Sequence, residues 1–330
     1  MRRTLFRILA LPMPTRGLRN VIRRLGGTKV IKIDPHTTMQ NIANAYFDLS
    51  KTPPACGILK YIQDANIKLL KAFDTFAQNH NIQYFMIGGA IVGKIRHNDC
   101  IPWDDDIDIG MDADNYEKFI TEIEKFIPNK NFYAYFSSNV CKIIHTKTKA
   151  FIDILRYDFK QSPHCYDEQG HKMVTKMQNK FIRKMQSRKF LSVYVTDDMS
   201  ETEIKQQYKK VRIDFEQIRK LQNKSFRPCG GYKTIVPLHA DCKPSEFYSY
   251  DTIFPIEKSA FHGYVFPFPA DCEMYATKCW GDIWSFPTDM FRTHAFTKDK
   301  SPHKLTNLRD FLAKTDQIIY TEFCNYRDKK

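Results

Sequence analysis

The sequence predicts an α+β fold, a mixed sheet flanked by helices, and three stretches carry that expectation. Over residues 57–80, Ile62, Leu69, Phe73 and Phe76 recur at helical spacing between polar residues. At Asp106-Ile107-Asp108-Ile109 polarity alternates with period two, and Phe151-Ile152-Asp153-Ile154-Leu155 is an almost wholly apolar run of strand length.

Taken in order, residues 1–57 form a lead-in that ends at the Thr52-Pro53-Pro54 break. Within it Leu18, Val21, Ile22 and Leu25 fall at i, i+3, i+4 and i+7, with Thr15 as a cap and Gly26-Gly27 as a stop, so a short amphipathic helix is expected. Residues 1–32 contain arginines and lysines and no acidic residue. This helix can dock on an anionic membrane surface, where each basic residue contributes about 1 kcal/mol. It can equally pack its apolar stripe on the domain with the arginines solvated, and both readings stand.

Residues 58–160 read as the core. After the long helix come a strand at Tyr84–Ile87, a Gly88-Gly89 turn, a short helix over Ala90–Ile95 and an irregular stretch leading to the strand that starts at Asp106. Asp114 is expected to cap a helix carrying Tyr116, Phe119, Ile120 and Ile123 on one side. Strands at about Phe132–Phe136, Lys142–His145 and Phe151–Leu155 complete the set. Residues 161–330 read as a largely helical, aromatic-rich region, with helices around 172–190 and 201–224, the latter with Tyr208, Val211, Phe215 and Ile218 as its buried stripe.

At 330 residues, 42% hydrophobic and 14% aromatic, the chain can bury a core without staples, which excludes a disordered or disulfide-framework protein. Nine cysteines without a C-x-x-C pair read as reduced core thiols; Cys229, His239, Cys242, Cys272 and Cys279 lack the spacing of a zinc finger. The apolar stretches fall far short of the roughly 20 residues of a membrane helix. The formal charge of +14 calls for something anionic nearby, but no nucleic-acid motif accompanies it, so nucleic acid is not the expected partner.

The chemistry concentrates in Trp103-Asp104-Asp105-Asp106-Ile107-Asp108-Ile109, where four aspartates occupy five positions. On a strand Asp104, Asp106 and Asp108 project from one face and Ile107 and Ile109 enter the core. Carboxylates so close repel one another unless a cation joins them, and hard oxygen donors suit Mg2+ or Mn2+ with a phosphate substrate. Asp153, alone in its apolar strand, needs a buried partner: the same metal centre, or an arginine such as Arg156. Gly88-Gly89, between strand and helix, offers the close backbone approach that cradles phosphate oxygens.

The order strand, Gly-Gly, short helix, Asp-x-Asp strand and later lone Asp resembles the nucleotidyltransferase fold. More specifically, Gly93-Lys94-Ile95-Arg96-His97 with Ile101-Pro102-Trp103-Asp104-Asp105-Asp106-Ile107-Asp108 resembles the signature of the LicD family, which includes the fukutin-related proteins. A second resemblance lies in Phe254-Pro255, Phe261-His262-Gly263, Phe266-Pro267-Phe268-Pro269-Ala270-Asp271 and Trp280-Gly281-Asp282. Ala90, Lys94 and Trp280 depart from the residues usual in that family.

The resemblance implies transfer of phosphocholine, ribitol phosphate or glycerol phosphate from a CDP-activated donor to a hydroxyl of a cell-surface glycan, lipid-linked or not, with release of CMP. In that reading Asp106, Asp108 and Asp153 hold the metal and do the catalysis, while Gly88, Gly89 and Arg96 bind the donor phosphates. His97, Trp103, Asp104 and Asp105 support the site, and Asp271 and Asp282 either orient the acceptor or cap a helix. The expected setting is cytoplasmic, peripheral at the inner face of the plasma membrane of a bacterium. The rival readings are a nucleotidyltransferase that takes a nucleoside triphosphate and releases pyrophosphate, and a basic nucleic-acid-binding protein.

Overall fold

The computed structural model describes residues 39–126, 130–137, 140–161, 176, 193–196, 198–210, 212–213, 233–237, 248–286 and 302–324. The expected helices at 18–25 and 172–190, and the end of the one at 201–224, therefore lie outside the described residues, apart from Lys176. The fold is α+β, as the sequence predicts.

Helix α1 (Met39–Tyr46) precedes the long α2 (Gly57–Asn79). The order then runs β1 (Phe85–Ile87), α3 (Gly89–His97), β2 (Asp108–Met111), α4 (Ala113–Phe126), β3 (Phe132–Ser137), β4 (Val140–His145) and β5 (Phe151–Gln161). Further on come β6 (Val193–Val195), a helix over 201–210, β7 (Lys233–Pro237), β8 (Tyr248–Ser249), β9 (Glu257–Phe261), β10 (Tyr264–Phe268), α5 (Cys272–Trp280), α6 (Pro302–Leu312) and α7 (Asp316–Phe323). One sheet runs in the order β1-β2-β5-β4-β3-β6, and β7 and β8 join it through β5. It is mixed: β2 and β5 are parallel, whereas β1–β2, β4–β5, β3–β4 and β3–β6 are antiparallel.

Strand β5 runs six residues past the expected end at Leu155. Its first half lies between β2 and β4, and Tyr157–Gln161 then pair with β7. The sheet thus draws strands from beyond residue 161, which single-strand periodicity could not reveal. A second difference concerns the cap of α4. The helix begins at Ala113, and the Asp112 carboxylate accepts the Asn115 backbone N–H at 2.7 Å, so Asp112 caps it while Asp114 sits exposed in the first turn.

The core lies between the sheet and α2. Phe73 and Phe76 on α2 meet Phe323 of α7 at ring separations of 6.4 and 5.8 Å, and Phe323 also meets Phe132 of β3 at 5.4 Å. Each such buried aromatic removes a large apolar area from water and adds about 0.5–1.5 kcal/mol per edge-to-face pair. Lys68 adds a polar tie, donating to the carbonyls of Leu312 at 2.8 Å and Lys314 at 2.5 Å.

The interior face of α2 also carries two buried amides. Gln63 donates to the carbonyls of Ile101 at 2.9 Å and Asp104 at 2.8 Å. Asn66, 1% exposed, donates to the Asp105 carbonyl at 3.0 Å and accepts the Phe151 N–H at 2.9 Å. It therefore joins the loop before β2 to the start of β5. Removing its side chain leaves a buried carbonyl and a buried N–H without that partner, at about 1–3 kcal/mol each. Asn66→Ala should lower the unfolding free energy by about 2–4 kcal/mol, seen as an earlier urea midpoint with an unchanged slope.

Candidate active site

Alternation through residues 104–109 positions the aspartates. Asp105, Ile107 and Ile109 are buried, while Asp104, Asp106 and Asp108 are partly open. The regular strand begins only at Asp108, two residues later than expected, but the ladder continues backwards in one bond, from the Asp153 N–H to the Ile107 carbonyl at 2.9 Å. In the parallel pair β2–β5 the Cα of Asp108 is in register with that of Asp153. Side chains in register on adjacent strands share a face, so these two carboxylates are neighbours.

Electrostatics agree with that crowding. The Asp108 carboxyl is pushed well above its ordinary value of 3.8, first by burial, then by the charges of Asp106, Asp153 and Asp104, with Lys142 opposing. Lys142 of β4, opposite Asp153 in register, donates to Asp153 Oδ2 at 2.7 Å and lies 3.4 Å from the Phe151 ring centroid. Asp153 thus pairs with Lys142. The expected alternative, Arg156, is fully buried, and alternation along β5 turns it to the other face, where Glu117 is 3.9 Å away.

Gly88 and Gly89 turn the chain beside these carboxylates. Gly88 has φ 64°, and a Cβ there would come within 2.7 Å of Asp108 Oδ2. A Cβ at Gly89 would strike Asp104 Oδ2. The two glycines make room for the aspartates, a requirement separate from any contact with phosphate.

Arg96 stands near the other end of α3, about 10 Å along the axis from Gly89 by helical rise. Its guanidinium lies 5.9 Å from the Trp103 ring centroid, and its Nε and Nη1 are buried with no hydrogen-bond partner among the described residues. Burial lowers its pKa, while the nearby charge of Asp282 acts to raise it. Trp103 stacks on Phe286 at 6.4 Å, so it braces the loop end and touches the guanidinium at once. His97 is lowered by burial and by Arg96, which keeps its imidazole neutral at pH 7.

Asp271 caps α5, accepting the Met274 N–H at 2.8 Å. Asp282 accepts the Trp284 N–H at 2.9 Å and the Ser285 hydroxyl. Sequence reasoning missed Lys142 and the amides of Gln63 and Asn66. The alternation of β4 turns Lys142 away from the core, but only the register to β5 points it at Asp153.

Residues 81–196 match the family model described as LicD/FKTN/FKRP, nucleotidyltransferase domain. Over that span the chain is similar to the nucleotidyltransferase domain of the LicD family. The Lipopolysaccharide cholinephosphotransferase LicD of Haemophilus influenzae is 29% identical over 109 residues, 28% of this chain and 41% of that protein. An uncharacterized protein of Rickettsia prowazekii is 27% identical over 95 residues, covering 26% of this chain and 35% of its own length. One from Rickettsia typhi is 26% identical over 110 residues, or 31% and 35%. The chain spans less than half the length of the curated relatives it matches. Among the described residues no helix is long and apolar enough to cross a membrane.

A hard divalent cation fits this donor set: carboxylates crowded enough to raise the pKa of Asp108, beside a backbone with no Cβ in the way. Among the described residues, though, the three donor atoms lying within 4.8 Å of one another belong to Asp99, Cys100 and His262, not to these aspartates.

Because the Asp108 pKa is raised in the folded state, its proton favours the fold below the unfolded pKa, and that contribution is lost as pH rises through the folded pKa. In metal-free buffer Asp108→Asn should therefore melt higher than wild type at neutral pH, with the gap closing toward pH about 4. Melting curves across pH test this; a gap constant with pH would remove the charge argument.

Proposed function

We propose that the protein is a metal-dependent phosphotransferase moving a phospho-alcohol from a CDP-activated donor to a hydroxyl of a cell-surface glycan. The observation that carries this reading is the register of Asp108 with Asp153, beside Asp106 and the Gly88 turn, within a LicD-type domain. The name of the Haemophilus influenzae relative supports a cell-surface acceptor and phosphocholine as one candidate cargo. Ribitol phosphate and glycerol phosphate are the other candidates. The basic residues 1–32 suit work at the inner face of the plasma membrane.

In the reaction the acceptor oxygen forms a bond to the distal phosphorus, the bridging P–O bond breaks, and its electron pair departs with CMP. Asp106, Asp108 and Asp153 would hold Mg2+ or Mn2+, which when bound neutralises the diphosphate charge. The Asp153 carboxylate accepts the proton of the attacking hydroxyl, and the Lys142 hydrogen bond holds that carboxylate in place. Arg96 turns its buried N–H groups to the donor's phosphate oxygens, an interaction for which guanidinium geometry is suited.

Incubation with CDP-choline, CDP-ribitol or CDP-glycerol plus Mg2+ or Mn2+ should release CMP, faster when an acceptor glycan is present. Pyrophosphate release from a nucleoside triphosphate, with no CMP from these donors, would overturn the reading. Asp106→Asn or Asp108→Asn should reduce turnover by about 100–1000-fold with the fold retained by circular dichroism.

Asp153→Asn should lose both turnover and most of the rise in Tm that added metal gives the wild type. A full metal response in that variant would exclude Asp153 as a ligand.

A further inference from the structure

Among the described residues, one group of donors stands apart from the aspartates of the proposed site. His262 sits in the β9–β10 turn with φ 47°, and its backbone N–H donates to the Asn98 carbonyl at 3.3 Å. Its Nδ1 meets Asp99 Oδ1 and lies 3.9 Å from the sulfur of buried Cys100. On the other side its Nε2 is 2.8 Å from Asp64 Oδ1, and Asp64 in turn takes Lys60 Nζ at 2.5 Å. The imidazole is only 10% exposed.

We propose that Asp99, Cys100 and His262 form a site for a zinc-class divalent ion, with a donor set of its own and with Asp64 orienting the histidine. One oxygen, one sulfur and one nitrogen are the donors zinc takes, whereas all-carboxylate sites select Mg2+ or Mn2+. Tetrahedral zinc with its usual bond lengths sets sulfur and nitrogen about 3.5 Å apart, close to the 3.9 Å found here. Asp64 on Nε2 completes a carboxylate–histidine–metal arrangement: it accepts the Nε2–H hydrogen bond, which keeps the proton on Nε2 and leaves Nδ1 to bind the ion. Two negative donors and a neutral imidazole balance a charge of +2, Lys60 balances Asp64, and water takes the fourth position.

In the metal-free state a proton stands in for the ion. The two carboxylates hold His262 as an imidazolium, its pKa raised to about 11 despite burial, and burial raises the Cys100 thiol. Zinc uptake therefore releases protons and strengthens with pH, against a field set by Asp64, Asp99, Lys60 and Asp104. Once bound, the ion clasps the hairpin to the loop leading into Asp104–Asp108, with α2 behind it through Asp64.

The test uses the full chain, stripped with a chelator and titrated with Co2+ and then Zn2+. A thiolate-to-cobalt charge-transfer band should appear at one equivalent, vanish when zinc displaces the cobalt, and persist in Asp108→Asn. Cys100→Ser should lose the band, and Asp64→Asn should keep it while weakening zinc binding about 10–100-fold. Should Cys100→Ser not fold, X-ray absorption of the zinc-loaded wild type decides, with one sulfur expected at about 2.3 Å. No band, a full band in Cys100→Ser, or a zinc spectrum without sulfur would overturn the site, leaving the phosphotransferase reading untouched.

Discussion

Everything at the candidate active site depends on how the carbonyls of the loop before β2 are satisfied. A loop pressed against a buried helix face cannot leave its backbone groups without partners. Gln63 and Asn66 meet that demand from α2, and Asn66 does so while also holding the first N–H of β5. A single side chain thereby fixes two segments separated by more than forty residues. The register of Asp108 against Asp153 follows from that anchoring together with the bond from Asp153 to the Ile107 carbonyl.

Given that frame, the electrostatics are those of carboxylates crowded on one face of the sheet. Asp104, Asp106 and Asp153 all push the Asp108 carboxyl upward, and Lys142, a cation set among them, comes from a strand on the far side of β5. Arg96 presents the complementary case, a buried cation braced by Trp103 whose N–H groups point to no protein acceptor among the described residues. Negative charge thus stands at one end of α3 and positive charge at the other, the arrangement on which the proposed transfer rests.

Much of this was legible in the sequence because it is local. The alternation around Asp106 and Asp108 set which residues face the core, the apolar run around Asp153 marked a central strand, and the spacing in α2 marked its buried stripe. What could not be read is non-local. Lys142 opposite Asp153 is a matter of strand register, and His262 between Asp64 and Asp99 joins residues up to 198 positions apart. The choice of Asp112 over Asp114 as a cap turned on where α4 starts, by two residues. Gln63 and Asn66 look like any polar residues of an amphipathic helix until the loop they serve is in place.

The packing of Phe323 against Phe73, Phe76 and Phe132 bears on how the protein is made. Translation adds about 5–20 residues per second, so the apolar face of α2 emerges some tens of seconds before the helix that covers it. Throughout that interval the nascent chain displays Phe73 and Phe76 with their final partner unsynthesised. Closure of the core is thus tied to the last stretch of described chain, and a ribosome that pauses before residue 316 holds an adhesive intermediate in need of a chaperone.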